Sequence, residues 1–121
     1  MNALPRAHQE LKAASLLADA GLGAAAVSRA WKAAALAVEA AITETGDAKR
    51  AAGGVAGTFL QQVVKKGGLD PSVARLWRSL WERERLADTA GIDVSPERSR
   101  AAVADAERVV AATAEWLDRK A

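Results

Sequence analysis

Apolar residues recur at intervals of three and four along most of the chain, the spacing that gathers side chains on one face of an α-helix. Glycines and prolines at Gly21/Gly23, Gly46, Gly53/Gly54, Gly67/Gly68 with Pro71, and Gly91 with Pro96 cut this pattern into five stretches. The first predicted helix runs from about Leu4 to Ala20, with Gly21 as its stop. The second, about Ala24 to Thr45, carries Val27, Trp31, Ala34, Val38 and Ala41/Ile42 on one stripe, with Leu36 off it. That pattern predicts a central helix buried on more than one side. The third, about Lys49 to Lys66, is weakened by its glycines, yet Val55, Phe59 and Val63 still align. The fourth opens on Asp70-Pro71, a capping residue followed by proline at the first helical position, and carries Val73, Leu76, Trp77, Leu80 and Ala87. The fifth opens in the same way on Ser95-Pro96. Its stripe is Ala102/Val103, Ala106, Val109/Val110, Thr113 and Trp116/Leu117.

No stretch alternates with period two over strand length, and no Asn-Gly or Asp-Gly hairpin signal occurs. The pattern predicts an all-α fold, an up-down antiparallel bundle of four to five helices forming one domain over 1–121. Alanine, at 31 of 121 residues, reinforces this, because it is the best helix former and lets backbones approach closely. With one phenylalanine and no tyrosine, four tryptophans supply nearly all the aromatic bulk. There are no cysteines, which excludes disulfides and thiolate metal sites. Residues 1–10 lack the apolar run of a signal peptide, and Arg29, Lys32 and Glu39 interrupt the longest apolar stretch before it reaches membrane-spanning length. The expectation is a cytoplasmic protein that neither spans nor binds a membrane. A net charge of +2 does not by itself mark a nucleic-acid binder.

The anomaly lies in the fourth helix. Continuing its apolar stripe from Leu76, Trp77 and Leu80 leads to Arg83 and Glu84, with Arg85 and Asp88 close behind. Charge on a core-facing stripe is costly unless paired. Either the stripe reaches solvent there and these residues form surface ion pairs, or they line a charged cleft used for binding or catalysis. A second candidate is Ser28-Arg29-Ala30-Trp31-Lys32-Ala33, in which Trp31 reads as core and Arg29 and Lys32 as a small cationic face. His8, the one histidine, cannot build a metal site of the Glu-x-x-His bundle type, reads as solvated near the terminus and is the only histidine a Ser-His-Asp set could use, and there is no Gly-x-x-x-x-Gly-Lys loop for phosphate. No metal and no cofactor are expected.

The order of these segments resembles the HEPN family, in particular the small stand-alone domains found beside minimal nucleotidyltransferases. The resemblance covers nearly the whole chain. It rests on Leu11–Gly21, on Ser28-Arg29-Ala30-Trp31-Lys32-Ala33, on Gly53-Gly54-Val55 to Phe59 and Val63 to Leu69, on Arg83–Asp88, and on Ala101–Leu117 with Asp105-Ala106-Glu107-Arg108-Val109. It implies a bundle of four or five helices that forms homodimers. In many relatives an arginine and a histidine four to six residues later act at the dimer interface as a metal-independent ribonuclease. Some such ribonucleases are toxins silenced by a partner nucleotidyltransferase, and others have become nucleotide-binding or scaffold modules. This sequence departs from the pattern. No histidine follows Arg83 or Arg85, Ala52 and Thr89 replace a histidine and a tyrosine, and Trp31-Lys32 replaces two tyrosines. Such chemistry needs a group that titrates near neutrality, for which histidine is the usual supplier.

The expectation is therefore a degenerate, non-catalytic dimeric module of a toxin–antitoxin or nucleotidyltransferase system. Two alternatives stand beside it. One is an active ribonuclease toxin using Arg83, Arg85 and Asp88. The other is an RNA- or nucleotide-binding module in which Arg29, Lys32, Arg83 and Arg85 meet phosphate, with Glu84 beside them.

Overall fold

The computed structural model describes residues 3–46, 54–89 and 93–120. The helices are α1 (Leu4–Asp19), α2 (Gly23–Glu44), α3 (Gly54–Thr58), α4 (Pro71–Thr89) and α5 (Pro96–Lys120). A π-helical segment, Phe59–Lys65, prolongs α3. Among the described residues 87% are helical and none is in a strand, so the all-α bundle read from the sequence is the fold. No helix among them is long and apolar enough to cross a membrane.

The helix ends follow from local chemistry. At the end of α1, the Leu22 N–H donates to the Leu17 carbonyl at 2.9 Å and the Gly21 N–H to the Ala18 carbonyl at 3.1 Å. This closing turn needs a left-handed residue, and Gly21 supplies it at φ 80°. At the start of α4, the Asp70 Oδ1 accepts the Ser72 N–H at 2.9 Å. At the start of α5, the Ser95 Oγ accepts the Arg98 N–H at 3.2 Å. Both caps are those expected from the sequence.

The predicted third helix differs from expectation. Its first residues, 49–53, lie outside the described residues, as does Ala52. The remainder does not stay α-helical. The Thr58 hydroxyl donates to the Gly54 carbonyl four residues back, at 2.9 Å, a bond that tends to bend helices. From Phe59 the turns widen, and the Lys66 N–H reaches back five residues to the Gln61 carbonyl. The wide turn buries Val64 together with Phe59 and Val63, whereas the sequence pattern aligned only the last two.

α2 is the hub, packing against α1, α4, α5 and the π segment. The α1–α2 contact is antiparallel: Ala7 clusters with Ala33 and Ala37, while Glu10 further along meets Arg29. Ala7, Ala14, Ala30, Ala33, Ala34 and Ala37 are fully buried, so these backbones lie close together. α5 runs back along α4, and the Trp116 Nε1–H donates to the Gly67 carbonyl at 2.8 Å. A Cβ on Gly67 would stand 2.7 Å from the Trp116 ring, which makes glycine the residue that admits this indole.

Candidate functional site

Trp116 is thus structural. The other three tryptophans converge elsewhere. α4 presents Trp77 and, one turn later, Trp81, while α2 presents Trp31. The rings of Trp31 and Trp77 lie 5.7 Å apart between centroids, tilted by 35°, and Trp77 also meets Phe59 at 5.8 Å. These are favourable aromatic separations. Together with Ala35, Val55 and Ala56 the three indoles line a groove of about 380 Å³ between α2, α3 and α4, with Glu39 and Arg78 at its rim. Its size falls in the ~300–1,000 Å³ range typical of small-molecule sites. Its walls set large rings beside alanines, and the space between them is left open among the described residues.

Two features of the groove stand out physically. First, the Trp77 Nε1–H is buried and has no acceptor. A buried donor left unpaired costs about 1–3 kcal/mol, and most such groups are matched. Second, two guanidinium groups lie over Trp81, Arg85 at 4.9 Å and Arg78 at 5.7 Å from the ring centre. Arg78, Trp81 and Arg85 follow one another at three- and four-residue steps, so helical geometry alone puts them on one face.

A shallow pocket lined by Ser28, Arg29 and Lys32 shares Trp31 and Ala35 with the groove. Arg29 and Lys32 are therefore together, as the sequence grouped them. They are not equivalent. The Arg29 Nη1 donates to both carboxylate oxygens of the nearly buried Glu10, at 3.1 and 3.3 Å, which ties α1 to α2. Lys32 is exposed and makes no ion pair among the described residues.

The residues on the anomalous stripe of α4 part company. Arg83 is half-buried and donates through Nη2 to Asp105 of α5 at 2.7 Å, with Nε reaching the Ser79 carbonyl at 3.4 Å. Arg85 lies on Trp81. Asp88 is exposed and Glu84 half-buried, and neither makes an ion pair among the described residues. Residues two apart on a helix do not face each other, so Arg83 and Arg85 cannot join in one centre within a single chain. Arg83 instead borders a separate cleft of about 290 Å³ with Leu86, Val94 and Arg98. Both readings of the stripe are thus partly realised: the core-facing arginine is ion-paired and also edges a cleft.

The one resolved pKa displacement lies away from these sites. The Ser72 backbone N–H, then the Ser72 side chain, hold the Asp70 carboxyl below its ordinary value, with Arg75 contributing. His8 is exposed on α1. No group of three or more His, Cys, Asp or Glu among the described residues could hold a metal ion. The groove can bind flat or apolar groups and the adjoining cations can bind anions, while the described residues offer it no histidine for proton transfer. Trp31, read as core, packs against the main core cluster and also lines the groove. Its place on the apolar stripe marks it as core, and it is half-buried at the groove wall. Trp77 and Trp81, four apart on α4, are the sequence signal for the groove.

No family model matches the chain, and no curated protein or solved structure shows a significant likeness to it.

Proposed function

We propose that the chain is a HEPN-like helical module without chemistry of its own, acting as a homodimer beside a partner protein such as a nucleotidyltransferase in a toxin–antitoxin system. One observation supports it above the rest: Arg83, the best-placed catalytic candidate, is held by Asp105 and has no histidine near it in sequence. A metal-independent ribonuclease needs a group that moves protons near neutral pH, and the neighbourhood of Arg83 lacks one. Exposed leucines at Leu16, Leu22 and Leu86 give the surface apolar material for a protein contact. The reading as a nucleotide- or RNA-binding module is favoured by a separate observation, that the pocket of Lys32 and Arg29 shares Trp31 and Ala35 with the tryptophan groove. The two readings are compatible.

The test is incubation of purified protein with mixed RNA, beside the Arg83→Ala, Arg85→Ala double variant. Intact RNA with both proteins is the expected result. Cleavage that the double variant loses would establish an active ribonuclease and reject this proposal. Light scattering gives the mass, and a strictly monomeric value would remove the dimer from it.

A further inference from the structure

We infer that the groove between Trp31, Trp77 and Trp81 is a stacking site for a nucleobase whose phosphate lies toward Lys32, as a free nucleotide or as one residue of a single strand. The inference rests on the binding-module reading and adds the ligand class and the residues that hold it.

The lining and the charges around it favour this occupant over the apolar face of a protein helix. The groove is walled by the indoles of Trp31, Trp77 and Trp81 together with Ala35 and Ala56, so flat ring faces make up much of the surface it offers to a bound group. Indoles stack on any base, because every base has a π face. The pocket of Ser28, Arg29 and Lys32 shares Trp31 and Ala35 with the groove, so cations lie beside an anion attached to a ring bound there. Lys32 is exposed and unpaired among the described residues, and it needs to break no contact to meet a phosphate.

Two further observations concern Trp77 and Trp81. The Trp77 ring that lines the groove carries a buried N–H without an acceptor among the described residues. Base edges carry carbonyl oxygens and ring nitrogens that serve as acceptors, and aliphatic side chains carry none. Arg85 and Arg78 already lie over the Trp81 ring. A guanidinium plane stacks on aromatic rings and pairs with phosphate, so these arginines extend the platform for a second base or its backbone. Aromatic rings interleaved with cations along a groove are the general construction of single-strand sites.

The test uses tryptophan fluorescence at low salt with two probes, adenosine monophosphate and a ten-residue single-stranded RNA of mixed sequence. Saturable quenching is expected, with affinity that falls as salt rises. Trp81→Ala should weaken binding about tenfold, the loss of one stacked base. Lys32→Ala should weaken it less and make the salt dependence shallower. Ala35→Leu should abolish binding by filling the groove, with circular dichroism confirming that each variant is folded. Quenching by the mononucleotide alone or by both probes assigns a nucleotide site, and quenching by the RNA alone assigns a strand site. Quenching by neither, or binding that Ala35→Leu leaves at the wild-type level, overturns the inference, as a groove for a protein helix would. The RNA is checked on a gel after the titration. Cleaved RNA would reject the non-catalytic reading, while the Ala35→Leu comparison would still decide the groove.

Discussion

Where α1, α2 and α5 meet, the buried positions are mostly alanine and valine, and backbones close on one another. Where α2 and the π segment meet α4, Trp77 packs against Trp31 and Phe59, and a groove lined by Trp31, Trp77 and Trp81 is left open among the described residues. The two sides share one helix, α2, which turns alanines to the first and Trp31 to the second. Small residues bring helix axes together and use up the surface between them. Rigid rings hold axes apart and, in a thin bundle, cannot all be covered. A chain this rich in alanine therefore builds a closed side almost automatically, and its few aromatic residues decide where it stays open.

The largest test of that contrast is Phe59→Ala. Phe59 is fully buried and supports Trp77, so its loss should cost about 3–5 kcal/mol in urea unfolding and disorder the groove floor. A sharper test uses neighbours. Ala34 is fully buried, and Ala34→Leu should overpack the core and cost about 1–3 kcal/mol. Ala35 lines the groove, and Ala35→Leu should change stability by less than about 0.5 kcal/mol while blocking the site. Thermal melts of the pair settle the comparison. If both substitutions cost the same, the two sides of α2 are not distinct in the way described.

Smaller effects come from the helix ends. Ser95→Ala removes the cap of α5 and should cost about 1 kcal/mol. Asp70 caps α4, and its carboxyl is held below its ordinary value chiefly by the Ser72 N–H. A lowered folded-state value means that its contribution is complete above the unfolded value near pH ~4 and is lost as pH falls through the folded one. Asp70→Asn should therefore lower stability slightly at neutral pH and flatten the acid limb of the stability–pH curve, the two proteins converging as pH falls. A variant whose acid limb matches the wild type would show that other carboxylates set it.

The same contrast separates what the sequence made legible from what it did not. The caps at Asp70-Pro71 and Ser95-Pro96, the stop at Gly21 and the burial of α2 on several sides are local or periodic features, and short-range chemistry determines them. That Arg83 falls on a core-facing stripe was legible too. Its partner was not, because Asp105 lies 22 residues away on another helix and meets it only through packing. Within one chain Arg83 turns to Asp105 and Arg85 to the Trp81 ring, while Asp88 is exposed. The groove was hidden for a related reason. Periodicity assigns Trp31 and Trp77 to an apolar face, but it does not say whether anything is large enough to cover that face.

The π-helical segment has a further consequence, for tolerance to changes in chain length. Its turns hold one residue more than α-turns along the same path. Gln61, exposed between the buried Phe59 and Val63, is the residue in excess. A chain lacking Gln61 would close an ordinary i→i+4 ladder through the same space, with both flanking helices in place. A single-residue deletion is absorbed there, whereas within α2 it would rotate every following side chain by about 100° and turn Trp31's wall away from Trp77.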